Sequence, residues 1–118
     1  MVRTMGVEEE FHLVDRVTRR LTGRAPELLA HLPDGYVAEL QRCVVETNSG
    51  VFSTLRGLRE DLVARRRVLT RAADAAGMGV VAAGSVPLAV PAELQVTATE
   101  RYQHMLADYQ LLAREQLI

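Results

Sequence analysis

The sequence has no tryptophan, no lysine and one cysteine, and aromatic residues make up only 4% of it. Each shortage excludes something. Without lysine there is no amine nucleophile and no P-loop lysine, because all 14 basic residues are arginine. Sparse aromatics leave no platform for stacking nucleobases. Cys43 alone makes neither an intrachain disulfide nor a cysteine-based zinc site. A net charge of −1 gives no general electrostatic case for nucleic acid or an anionic membrane. No apolar run approaches the roughly 18 residues of a membrane helix. Met1-Val2-Arg3-Thr4 lacks the apolar core of a signal peptide. The chain therefore reads as a cytoplasmic protein without nucleic-acid or membrane partners, and its 118 residues form one domain.

What is present is concentrated near the start. Gly6-Val7-Glu8-Glu9-Glu10-Phe11, continued by His12-Leu13-Val14, sets three consecutive carboxylates inside an apolar run that reads as a strand. Side chains alternate along a strand, so Val7, Glu9, Phe11 and Leu13 share one face, and Glu8, Glu10 and His12 the other. The rise per residue separates the Cα atoms of Glu8 and Glu10 by about 7 Å. Like charges that close repel unless a cation, donors or water intervene. The strand is thus a candidate hard-cation site. The alternative is the solvated face of an edge strand, where acids discourage aggregation.

Farther on, Asp15 to Arg24 reads as a polar turn, and Ala25 to Leu32 as a short helix with proline in its first turn. Tyr36 to Leu40 is extended. Arg42 to Asn48 is a strand on which Arg42, Val44, Glu46 and Asn48 share one face. Antiparallel pairing with the first strand would bring Glu46 to Glu8 and Glu10. Ser53 caps a long helix whose stripe is Leu55, Leu58, Leu62, Leu69, Ala73 and Ala76, stopped by Gly77. Arg65-Arg66-Arg67 lies off that stripe as a solvated face. Val80 to Ala83 is a short strand, and Ser85 to Pro91 a loop. Thr97-Ala98-Thr99-Glu100 is a capping-box pattern opening a second long helix. Tyr102, Met105, Leu106, Tyr109, Leu112 and Ala113 form its buried side, with His104 in solvent. Leu117-Ile118 ends an active helical pattern without a stop signal, which points to a piece of something longer. The order predicts an α+β layer, an antiparallel sheet of three strands with helices on one face. Its carboxylate face would be open to ligand or covered by another polypeptide.

With the Gly6–Phe11 strand, Val44-Val45-Glu46-Thr47, the Gly84-to-Pro91 loop and Glu100-Arg101-Tyr102 in view, the chain resembles the amino-terminal part of the type 2 glutamate–cysteine ligases, or carboxylate–amine ligases. That resemblance covers residues 1–118 in order. It implies a partial glutamine synthetase-like fold, with the sheet as a curved active-site wall. It also implies an ATP-dependent joining of a glutamate-like carboxylate to an amine through an acyl phosphate. By the same resemblance, Glu8, Glu10 and Glu46 match Mg2+ ligands, and Glu39 is a weaker candidate. No other catalytic residue is implied.

There are departures. Val86-Pro87 stands where the family often has His-Pro, and His12 where an aliphatic residue is usual. His12 is expected to be solvated or to sit near the metal without binding it. The family's later Cys-Gly-Cys-His-Val-His segment lies beyond Ile118, so the chain is expected to be inactive alone. A second reading makes the protein a non-catalytic assembly subunit, its open face covered by a partner chain or a second copy.

Overall fold

The computed structural model describes residues 1–115. The expectation placed on Leu117-Ile118 lies outside them. The chain folds as β1 (Glu8–Asp15), α1 (Ala25–Leu29), β2 (Tyr36–Ala38), β3 (Val44–Asn48), α2 (Leu55–Ala75), β4 (Met78–Val81), a 3-10 turn (Pro91–Glu93), α3 (Glu100–Asp108) and α4 (Gln110–Glu115). Four strands, not three, form one antiparallel sheet in the order β2-β3-β1-β4. The α+β architecture holds.

The hydrophobic half of the β1 alternation builds the core. Phe11 and Leu13 meet Val45 and Tyr36 from the sheet, Ala25 and Leu28 from α1, and Leu69 and Ala73 from α2. Arg66 reinforces this face. Its guanidinium forks onto the Glu9 carboxylate, with Nε 3.1 Å from both oxygens, and lies 6.0 Å from the centre of the Phe11 ring. Arg65 pairs with Asp61 at 2.7 Å. Two members of the arginine run are therefore tied to carboxylates rather than simply solvated.

The ends of α2 show which local signals won. Thr54, not Ser53, is the N-cap, its hydroxyl accepting from the Gly57 N–H at 3.1 Å. Leu55 is then exposed, and the working stripe begins at Leu58. Gly77, at φ +72°, follows the last turn where a side chain would be strained. Gly35 needs its glycine for two reasons: φ is +96°, and a Cβ there would lie 2.6 Å from a nitrogen of Arg65.

β4 runs Met78–Val81 rather than Val80–Ala83. Met78 enters the core directly after Gly77, and pairing with β1 ends at His12–Val81. The second long helix is broken into α3 and α4 at Tyr109 (φ −130°, ψ 55°), where the sequence has no glycine or proline. Its cap is Thr99, whose hydroxyl accepts from Tyr102 N–H. Thr97 is buried instead, its hydroxyl donating to the Glu39 carbonyl. Of the expected buried side, Ala113 is buried, whereas Tyr109 and Leu112 are exposed. The Gln41 amide donates to the Ala113 carbonyl and holds α4 near the sheet. Cys43 packs with Val44 and Leu94, and burial pushes its thiol up to about 11, so it stays protonated and inert.

Leu69 is fully buried at the centre of the helix–sheet contact. Leu69→Ala should destabilise the protein by about 2–5 kcal/mol in urea unfolding. A loss under about 1 kcal/mol would mean that α2 is not the element closing this core.

A candidate metal centre on the open sheet face

The register of β1 against β3 builds the site. Glu10 stands directly opposite Glu46, and Glu8 opposite Asn48. Directly paired residues point to the same side of a sheet, so all four lie on the face away from the α1–α2 core. β2 adds to it. Val37 pairs with Glu46, and Glu39, two residues on, falls on the same side. One carboxylate oxygen each from Glu10, Glu39 and Glu46 lies within 4.8 Å of the others.

Of the expected ligands, the structure thus brings Glu10 and Glu46 together. Glu8 is not part of this close group and instead lines the adjoining cavity. Glu39, the weaker sequence candidate, belongs to it. Its signal was present: an extended Tyr36–Leu40 paired antiparallel to β3 puts Glu39 on the carboxylate side.

Small contacts orient the oxygens. The Asn48 side-chain amide donates to Glu46 at 3.0 Å. The Leu40 N–H donates to Glu39. None of the five ion pairs among the described residues involves Glu8, Glu10, Glu39 or Glu46. The charge is accordingly unbalanced. Glu10's carboxyl is held above its ordinary value, first by desolvation and then by the charges of Glu39, Glu46 and Glu8.

Tyr102, which the helical stripe assigned to the core, stands at this site. Desolvation first, then the charges of Glu39 and Glu46, raise its phenol, so it remains a donor. Its place in the first turn of a capped helix was the only sequence hint. Of the two places expected for His12, the solvated one does not hold, and the ring lies beside Glu8 and Glu10 in the same cavity lining. It is 2% exposed rather than solvated, and its Nε2 lies 2.8 Å from the Ala83 carbonyl. The carboxylate face is partly covered by its own chain, since Val44 packs under Leu94 and Val86. A cavity of about 370 Å3 lies over Glu8, Glu10, His12 and the Ala82–Gly84 loop.

Three carboxylates, two on paired strands and Glu39 one residue past β2, with no ion-pair partner among the described residues, could hold a hard cation. The same oxygens without an ion repel one another.

Comparison with known proteins adds an independent line. The model of "Glutamate-cysteine ligase family 2(GCS2)" matches residues 4–118. A protein of Mycolicibacterium smegmatis named "Putative glutamate--cysteine ligase 2-2" is 73% identical over 116 residues, covering 98% of this chain and 29% of that protein. A Rhodococcus jostii protein, "Putative glutamate--cysteine ligase 2-3", is 69% identical over 117 residues, covering 98% of this chain and 15% of its own length. One from Sorangium cellulosum, "Putative glutamate--cysteine ligase 2", is 37% identical, and this chain spans 32% of it. The chain therefore spans a third or less of these relatives. No solved structure matches.

Removing one charge tests the electrostatics. In metal-free, low-salt buffer at pH 7, Glu10→Gln should melt above wild type, and about 1 M NaCl should narrow the gap. A raised folded value means that the folded protein holds this proton more tightly than the unfolded chain. That stabilisation is full below the ordinary value of 4.5 and is lost as pH rises through the raised one. The gap should therefore close at and below pH 4.5. A wild type more stable than the variant at pH 7 and low salt would refute the repulsion.

Proposed function

The chain belongs to glutamate–cysteine ligase family 2, and from that premise we propose that it forms part of an ATP-dependent carboxylate–amine ligase. The observation that carries this is the meeting of Glu10, Glu39 and Glu46 on the open face of the sheet, with no ion pair to any of them among the described residues. In the proposed reaction a glutamate-like carboxylate oxygen attacks the γ-phosphorus of ATP, and ADP leaves. The amine nitrogen then attacks the acyl carbon of the resulting acyl phosphate. Phosphate departs, and the nitrogen loses a proton.

Glu8, Glu10 and Glu46 are the proposed Mg2+ ligands, with Glu39 added on geometry. Bound there, the ion would offset phosphate charge and fix its orientation. The chain's own groups prepare the place. Asn48 turns Glu46, the Leu40 N–H fixes Glu39, and Tyr102 keeps a phenolic proton beside both carboxylates. The glutamine synthetase-like curvature of the complete sheet, and a cytoplasmic location, belong to the same proposal. Among the described residues no helix is long and apolar enough to cross a membrane. Catalysis is proposed to need the further polypeptide that relatives possess, because this stretch supplies acids but few groups to hold a nucleotide or select substrates.

In the full-length protein, Glu10→Gln, Glu39→Gln and Glu46→Gln should each lower Mg2+-dependent, carboxylate- and amine-stimulated ADP release at least about a hundredfold. Glu8→Gln should act in the same direction but less. Turnover within twofold of wild type in Glu10→Gln and Glu46→Gln would exclude the assignment.

A further inference from the structure

The three acids of the centre are not placed by the same means. Glu10 and Glu46 stand opposite each other inside the β1–β3 ladder, so the sheet itself sets their spacing. Glu39 lies past the end of β2, whose pairing with β3 stops at Ala38–Val45. Among the described residues no strand ladder reaches it. The turn that follows is anchored piece by piece. The Gln41 amide donates to the Ala113 carbonyl, the Arg42 carbonyl accepts from Ala25 N–H at 3.1 Å, and the Cys43 carbonyl accepts from Leu13 N–H at 2.7 Å. Glu39 and Leu40 are held instead by Thr97. Its N–H donates to the Leu40 carbonyl at 2.8 Å, and its hydroxyl donates to the carbonyl of Glu39 itself. Arg42 N–H donates to the Gln95 carbonyl at 2.7 Å, and Gln41 and Val96 form the bridge between the two stretches. Thr97 is 8% exposed, so water does not readily replace its hydroxyl as donor. Its own carbonyl is fixed in turn by Thr99 N–H at 2.9 Å and the Gln103 side-chain amide at 3.4 Å.

We infer that Thr97 is a positioning residue for the ion centre: by holding the backbone of Glu39 and Leu40, it decides whether the site offers three carboxylates or two. The inference rests on the ligase reading and deepens it. Fixing the Glu39 carbonyl fixes where its side chain starts. Fixing Leu40 fixes the N–H that donates to the Glu39 carboxylate. Tyr102, farther along the segment that Thr97 anchors, sets its phenol beside that same carboxylate. One stretch of chain thus holds both the backbone and the charged end of Glu39. Without the hydroxyl a largely buried carbonyl loses this donor. The repulsion of Glu39 by Glu10 and Glu46 is then opposed by one backbone bond fewer. Glu10 and Glu46 keep their places, because the ladder does not depend on Thr97.

The test uses the full-length protein with Mn2+ as the probe, since Mn2+ shares the octahedral oxygen preference of Mg2+. Free Mn2+ is counted by electron paramagnetic resonance. Thr97→Val removes the hydroxyl at nearly constant volume and should weaken Mn2+ binding about tenfold. Thr97→Ser keeps the donor and should stay within about twofold of wild type. Added to Glu39→Gln, Thr97→Val should cost less than about a further twofold, because the carboxylate it positions is already gone. Should Thr97→Val fail to fold, Thr97→Ala carries the same comparisons. Mn2+ affinity unmoved by loss of the hydroxyl overturns the positioning role. So does a loss of equal size with and without Glu39→Gln, which is what a general structural defect gives. A wild type that takes up no Mn2+, or that binds it equally well after Glu10→Gln, sinks the ion centre of the ligase reading and this inference with it. The first two outcomes sink only the role of Thr97.

Discussion

One cross-strand pair constrains everything built around it: Glu10 faces Glu46. Like charges directly opposite in a sheet destabilise it, and here Glu39 adds a third. The sheet tolerates this because its other face does the stabilising. Phe11 and Val45, the next pair along the same ladder, are buried beneath α1 and α2. Sliding the register by one residue would turn these apolar side chains out and the acids in. The packing that stabilises the fold therefore also fixes which carboxylates meet.

The three consecutive acids of β1 are treated differently by their surroundings. Glu9 points toward α2 and is matched by Arg66, a cation supplied by the chain. Glu10 points the other way and meets only further acids and solvent. Glu8 lies between these conditions, close enough to weigh on Glu10 but outside the tight group. The difference follows from strand alternation combined with a helix packed on one side alone.

That alternation was legible in the sequence. It gave the faces of β1, the placing of Glu46 opposite it, and the apolar side of α2. What it did not give were features decided by contacts distant in sequence. Ser53 is locally the stronger cap, yet Thr54 is the residue that caps α2. The break at Tyr109 has no local signal at all, because Gln41, 72 residues from Ala113, draws α4 in. Whether His12 would be solvated or sit near the carboxylates was open in the sequence, and its bond to the distant Ala83 carbonyl buries it. Tyr102 obeyed a helical period but stands where its phenol meets Glu39 and Glu46. Glu39 required two inferences at once, an extended β2 and its antiparallel pairing. Periodicity gives the face of an element. It does not say what another element will place on that face.

A second cavity, of about 430 Å3, adjoins the acidic one, and His12 and Ala83 line both. The two cavities divide the open face by chemistry. On one side of His12 the walls are anionic, and on the other they are largely aliphatic, with Thr18, Ser85, Arg19 and the Arg20–Glu93 pair among them. A single large ligand would meet opposite demands across that boundary. The wall between them is a ring with one nitrogen bonded to the Ala83 carbonyl and the other buried without a partner. The two sides of the open face are therefore chemically distinct, and one buried ring separates them.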